Sequence, residues 1–404
     1  MTDGSGHGPH DVTHDDLVSR IDVDVLTSSR CSIHIAHLEV MLTVTAGCGD
    51  ETSFTVTAGG VATTRSEARL KCEFELVERL VSSAPETVRR LVHDRPRDER
   101  VSWRAFTPYD AALQNRLAAA MPSPDRDWCP AYGMRTGRAY DVPASKVLPI
   151  WPCLSPSYAF DGECDASGLA AGPSGDVRRC REHGLCEVLE RDAMMLAWRV
   201  PGWGVADLEN LAAVRPDIAA FLDEHRLNVT LLDIGDPDLL PVVICLLDDE
   251  GRVVCGTACA LDLDAAIQKS VLEAIMLWHG RRSAPAGEDP GSQDIRTSSD
   301  HVGFAWTRGS TVMEWFASQP RRALADHVID FSKLLENCSK RFFDAEPLVV
   351  DLTPADAAVY ACRVLQPHAC RKEWNAARPF LGGLRFQSVC ADVSRANRLP
   401  HPYG

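Results

Sequence analysis

Residues 75–79, ELVER, and residues 187–191, EVLER, are nearly the same word in two widely separated segments. At spacing i, i+3, Glu75 and Glu78 share one helix face, as do Glu187 and Glu190. Same-face carboxylates repel, and beside apolar neighbours they also lose hydration. One ExxER reads most simply as a solvated face with a salt-bridging arginine. Two features point elsewhere. The pattern recurs among largely apolar neighbours, and the second copy follows a Gly-rich turn, SGLAAGPSGD, suited to close backbone approach. Carboxylates gathered in a site hold hard cations such as Mg2+, which in turn hold phosphates. The residues alone point to a Mg-nucleotide site.

The segments around the two words predict helices. TTRSEARLKCEFELVERLVSS carries an apolar stripe at Leu70, Phe74, Val77 and Leu80/Val81, with Thr64 or Ser66 as N-cap. DVRRCREHGLCEVLERDAMMLAWRV predicts a long second helix opened by Ser174 or Asp176, and DLDAAIQKSVLEAIMLWHGRR a third. STVMEWFASQ and HVIDFSKLLENCSKRFF read as further helices. Strand patterns run through Ile33 to Val44, SFTVTAGGV, VLPIW, EPLVVDLT and YACRVLQP, with VVICLLDDEGRVVCGTACA as a hairpin turning at DDEG. The expected fold is mixed α/β, with duplicated sheet-and-helix modules around a cleft. One catalytic unit spans residues 31–404 after a flexible lead-in over 1–30. It carries a flexible loop over 283–300 and a Pro-containing tail over 398–404.

A net charge of −15 argues against non-specific nucleic-acid binding. The longest apolar run, LLPVVICLL, is too short to span a bilayer. The 15 cysteines are odd in number and scattered, and MTDGSGHGPHDVTHDD lacks the regions of a signal peptide. Reduced thiols and a cytoplasmic location are expected. Cys31-x-x-His34-x-x-His37 lies on a predicted strand whose alternation sends His34 and His37 to opposite faces. Neither that cluster nor Cys255-x-x-x-Cys259 has the four-ligand pattern of a structural zinc site.

Several motifs act together: ELVER, SGLAAGPSGDVRRCREHGLCEVLERDA, CGTACALDLDAAIQKSVLEAI, Asp300–His301, VVDLTPAD and LGGLRF. Over roughly residues 50–404 they resemble the YcaO family of ATP-dependent amide-activating enzymes. The resemblance implies ATP and Mg2+ as cofactors, bound in a nucleotide cleft. Glu75, Glu78, Glu187, Glu190 and Glu273 would be the metal ligands. His183 falls where the family has a polar nucleotide contact, though it also reads as an exposed helix histidine. Arg199 and Arg281/Arg282 are candidate phosphate clamps. The implied chemistry is cyclodehydration. A Cys thiol or Ser/Thr hydroxyl adds to the preceding carbonyl, the oxygen takes the γ-phosphate, and phosphate leaves as a thiazoline or oxazoline closes.

Three family positions are changed. The lysine of a Gly-Lys-Gly before the first helix is absent from Gly60-Val61-Ala62, a small hydroxyl residue is Lys71, and a glutamine is Met276. Lys71 reads either as a replacement for the lost charge or as a solvent-facing lysine. The end, NRLPHPYG, is similar to the proline-rich tail of azoline-forming members, which makes Pro400, Pro402 and Gly404 candidate catalytic-tail residues. Macrocyclic amidine or thioamide formation, and a non-catalytic scaffold, remain as other readings. The expected partners are a precursor peptide and a leader-binding protein, with a homodimer also compatible.

Overall fold

The computed structural model describes residues 19–403 apart from 46–50, 95–98, 108, 110–114, 116–126, 149–166, 210, 284–294, 296, 328–329, 356–357, 374–375 and 377–378. Most of the expected lead-in, most of the 283–300 loop and Gly404 lie outside the described residues.

Three antiparallel sheets organise these residues. The first joins β1 (Asp22–Thr27), β2 (Ser32–Thr45) and β3 (Glu51–Ala62) in that order. The second comprises β7 (Ala206–Leu208), β8 (Asn228–Asp233), β9 (Val242–Asp249) and β10 (Arg252–Cys259), ordered β10-β9-β8-β7. The third joins β4 (Trp128–Gly133), β5 (Ala139–Pro143), β6 (Leu169–Pro173), β11 (Leu348–Asp351) and β12 (Val359–Leu365), ordered β5-β4-β11-β12-β6.

The apolar run of β9 is covered on both faces. Val242, Ile244 and Leu246 belong to one core, and Val243, Cys245 and Leu247 to another. That explains why the run is continuous rather than alternating. The β9–β10 hairpin turns where expected. Glu250 (φ 54°) and Gly251 (φ 88°) both take positive φ, as a two-residue primed turn requires.

Three helices matter most: α1 (Arg65–Ser83), α2 (Val177–Arg199) and α3 (Leu263–Ser283). Thr64 caps α1 by accepting from the Glu67 N–H at 3.3 Å. The buried stripe of α1 matches the expected one at Val77 and Val81 but departs from it in the first half of the helix. Ala68, Cys72 and Leu76 face inward while Leu70 is 49% exposed. The reason is Gly60 of β3, which lies so close to the backbone of Ala68 and Cys72 that a side chain there would collide. Gly256 of β10 does the same for α3 at Ser270 and Ala274. Three further helices are α4 (Ser298–Thr307), α5 (Gly309–Ser318) and α6 (Phe331–Arg341). The strand expected at VLPIW is not formed at its start. Ala144–Val147 make one helical turn, and residues 149–151 lie outside the described residues. Among the described residues no helix is long and apolar enough to cross a membrane. The twelve described cysteines are free thiols, mostly buried.

Candidate active site

β3, β6 and β10 are each the outer strand of their sheet, and each is followed by one of the three long helices. An outer strand has backbone N–H groups with no neighbouring strand to accept them. Here glutamates accept them. Glu75 of α1 accepts from Gly59 of β3 at 2.9 Å, Glu187 of α2 from Gly168 at the start of β6 at 2.7 Å, and Glu273 of α3 from Thr257 of β10 at 2.6 Å. The second glutamates cross to the next unit. Glu78 accepts from the Ala171 N–H of β6 at 3.0 Å. Glu190 accepts from the Cys259 N–H of β10 and from the Thr257 hydroxyl, each at 3.0 Å. The equivalent position of α3 is Met276. A Cβ placed on Gly59 would lie 3.6 Å from its sulfur and 4.0 Å from Glu75 Oε2. Three strand–helix units therefore close a ring, with a thioether in place of the sixth carboxylate.

The five carboxylates are half-buried and still reachable by solvent. Burial, and then the charges of Glu187 and Glu75, push Glu78 well above the usual carboxylate range, against the Ala171 N–H and Arg79. Burial also raises Glu190, with Glu187 adding to the effect and Arg191 and the Thr257 and Cys259 donors opposing it. Glu273 is raised to about 7 by burial and the Glu190 charge. Within the helices, Arg79 answers Glu75 at 3.1 Å and Arg191 approaches Glu187 at 3.7 Å. His183 borders this group. It is solvent-exposed, as the plain helix reading expected, yet enough protein lies around it to hold the imidazole below its ordinary value, while Glu187 and Glu75 pull the other way.

These carboxylates suit Mg2+. Glu78, Glu190 and Glu273 hold their protons more tightly than usual, first through burial and then through neighbouring carboxylates, and a divalent cation relieves that crowding. Among the described residues no three His, Cys, Asp or Glu side chains form a ready-made cage. Mg2+ carried with a nucleotide is held by one or two carboxylates that share the ion with phosphate oxygens.

The remaining expected residues fall in three places. Lys71 donates to the carbonyl of Val61 at 3.0 Å and pairs with Glu67 at 3.0 Å. Its ammonium thus lies at the very residue that replaces the missing lysine. Arg281 and Arg282 occupy the last turn of α3, about 12 Å along the axis from Glu273, and Arg282 lies over Trp278 of its own helix. Arg199 is fully buried and does not clamp phosphate from the cleft wall. It pairs with Glu373 and donates to the carbonyls of Asn397 at 2.7 Å and Leu399 at 2.5 Å.

The tail is buried too. Pro400, His401, Pro402 and Tyr403 all lie inside. The His401 ring stacks on His301 of α4, centroids 3.5 Å apart and 1° from parallel. The Tyr403 hydroxyl donates to the carbonyl of Met194 at 3.2 Å, and Tyr403 bridges to Cys255 of β10. Along the outer edge of β10 the order is therefore Tyr403 at Cys255, Glu273 at Thr257 and Glu190 at Cys259.

Sequence reading missed several groups. Thr257 links Glu190 to Glu273. Arg363 and Arg371 share a small cavity with Ser167 and Arg191 beside Glu187. The buried Lys372 places its charge near Glu273 and His401. Arg385, from LGGLRF, bonds Asp192 at 3.2 Å and Asp236 at 2.7 Å, bracing α2 just past Arg191. Only Arg191 carried a signal, as part of the repeated word.

Among solved structures, the chain is similar to the YcaO protein of Methanopyrus kandleri bound with AMPPCP and Mg2+, at 19% identity over 89% of each chain and a TM-score of 0.59. It is similar to a heterocyclase in complex with substrate and cofactor, at 16% identity and a TM-score of 0.66, over 96% of this chain and 56% of that one. The chain thus spans little more than half of that protein. The McbBCD microcin synthetase complex of E. coli matches at 14% identity over 86% of this chain and 87% of that one, with a TM-score of 0.63. At such identities the likeness is one of fold. No curated protein matches the chain by sequence. A profile of the YcaO cyclodehydratase family, described as ATP- and Mg2+-binding, matches residues 59–370, well over half of the sequence. With that match the chain belongs to the YcaO cyclodehydratase family.

Proposed function

We propose that the protein converts Cys, or Ser/Thr, residues of a ribosomal precursor peptide to thiazoline or oxazoline rings. The observation that carries this reading is the β10 edge, where the Pro-containing tail stands in one row with two of the cleft glutamates. ATP held with Mg2+ supplies the phosphoryl group that makes the amide oxygen a leaving group.

The protein's own part is positioning and electrostatics. Glu75, Glu78, Glu187, Glu190 and Glu273 would hold the metal ions; four have one oxygen tied to a strand donor and Glu190 has both, so that the side chains cannot swing away. Arg79 and Arg191 steady the first glutamate of each word and add positive charge at the cleft. His183, held neutral by its surroundings, offers a hydrogen bond without repelling a cation. The tail, with Pro400 and Pro402, closes the wall beside Glu273 and excludes water from the reacting amide. Lys71, at the Val61 carbonyl, supplies the positive charge absent there, while Arg281, in the last turn of α3, stands about 12 Å from Glu273. The precursor peptide is delivered by a leader-binding partner protein. The microcin synthetase neighbour is itself a complex.

Mass spectrometry of a Cys- and Ser/Thr-containing precursor with enzyme, partner, ATP and Mg2+ tests the reading. One water lost per modified Cys, Ser or Thr is the expected result. Water loss that consumes the N-terminal amine or a lysine would replace it with the amidine reading, and exchange of oxygen for sulfur with the thioamide reading. Nucleotide binding without turnover would leave the scaffold.

A further inference from the structure

We propose that Arg199 and Glu373 are positioning residues, a buried pair that fixes the C-terminal segment as a permanent strand on β10 instead of an arm that swings into the cleft. The inference rests on the reading of the tail as part of the catalytic wall.

The geometry is a closed set of contacts. Arg199 is the last residue of α2, nine positions past Glu190 and about 14 Å along the axis, too far to reach the metal site itself. One nitrogen of its guanidinium serves the carbonyls of Asn397 and Leu399, and another pairs with Glu373. The second carboxylate oxygen of Glu373 accepts from the Phe380 N–H at 2.8 Å, and its backbone carbonyl meets His401 Nε2 at 2.7 Å. Trp198, beside Arg199, donates its indole N–H to Leu399 at 3.1 Å. The arginine side chain and the glutamate's backbone therefore hold opposite ends of the stretch Asn397–His401. Both side chains are at most 1% exposed.

This arrangement makes the tail hard to withdraw. If Asn397–Tyr403 left, a buried guanidinium would lose two carbonyl partners that water does not replace, and the Cys255 edge of β10 would be left open. Because Tyr403 bridges Cys255, two residues from Thr257, any slip of the clamp moves the tail past Glu273 by the same amount. Arg199 acts on the chemistry only through that register.

The test uses the full chain with Arg199→Met, Arg199→Lys and Glu373→Gln. Carboxypeptidase digestion followed by mass spectrometry reads whether the C-terminal residues are exposed, independently of activity. In Arg199→Met the tail is expected to be trimmed about tenfold faster or more. With precursor as substrate, kcat falls about tenfold or more while KM for ATP stays within about twofold. Arg199→Lys restores part of both, and Glu373→Gln gives a milder version of Arg199→Met. In a chain lacking Leu399–Gly404, Arg199→Met has little further effect on kcat. A tail that stays protected in Arg199→Met overturns the proposal, as does a full additional loss in the truncated chain. If truncation leaves kcat intact while Arg199→Met still exposes the tail, the clamp stands and the catalytic reading of the tail falls.

Discussion

The two glutamate helices share a word and sit in different surroundings. α1 packs its first half on the first sheet, reaches the third sheet through Val77 and Val81, and keeps a solvent face, with Leu70 half exposed and Lys71 and Glu67 paired at the surface. α2 is wedged between two sheets and is buried on most sides from Leu185 to Arg199. The glutamates nevertheless behave alike. The first of each pair bonds a strand residue shortly before its own helix, Gly59 or Gly168, and the second reaches the next unit, Ala171 or Cys259. The i, i+3 spacing is therefore not a surface pattern. It is what lets one helix face serve two sheet edges, and it works whether or not the rest of the helix is exposed. α3 repeats the first half of the device with Glu273 and ends it with Met276.

The comparison between own-strand and crossing glutamates can be broken. Glu78→Gln and Glu190→Gln keep an acceptor for the strand N–H but remove the charge. Each is expected to lower kcat/KM for ATP in precursor turnover by about 100-fold or more. Glu75→Gln and Glu187→Gln are expected to cost only about tenfold, because Arg79 and Arg191 already answer part of those charges. Equal losses at all four positions would erase the distinction.

A second measurement probes the crowding itself. Glu273 is raised from 4.5 to about 7 in the folded, metal-free protein. The folded state then binds more protons than the unfolded chain between these values, so its stability falls as pH rises through that window. Glu273→Gln is expected to stabilise the metal-free protein at pH 8 by about 2 kcal/mol, with the gain shrinking toward pH 5, as followed by thermal unfolding. Mg2+-ATP should cancel the advantage at pH 8. A gain that does not depend on pH would place its cause elsewhere.

The tail should respond in the opposite sense. Burial, with His301, Lys372, Arg199 and Arg191 nearby, holds His401 well below its ordinary 6.5, against Glu373 as its carbonyl partner and Tyr403 beside it. The unfolded tail takes up a proton below about 6.5 and the seated tail does not, so its seat weakens as pH falls. Hydrogen exchange at residues 399–403 is expected to quicken below that pH, and His401→Phe, which preserves the stack, should flatten the response. The smallest effect concerns the third unit. Met276→Gln adds a polar group where the ring lacks one and should lower KM for ATP by about threefold, with kcat little changed.

Much of this was legible from residue order. The same-face glutamates, the Thr64 cap and the primed turn at Glu250–Gly251 follow from local rules of spacing and conformation. The α1 stripe was misread because apolar size ranks Leu70 and Phe74 above Ala68 and Cys72. Contact with Gly60 rewards small residues instead. Arg199 was misread for a similar reason. A guanidinium near a nucleotide motif invites a phosphate, and nothing local reveals that Glu373 and the carbonyls of Asn397 and Leu399 will surround it.

By itself the sequence determined that carboxylates would be presented in same-face pairs on helices, because helical periodicity is a property of consecutive residues. Only the tertiary structure decided which donors those carboxylates would take. Glu78 meets a residue 93 positions away and Glu190 one 69 positions away, partners that exist only once three sheets have brought their outer strands together. Unpaired N–H groups at those edges need acceptors, and the carboxylates that supply them are the ones left facing the cation.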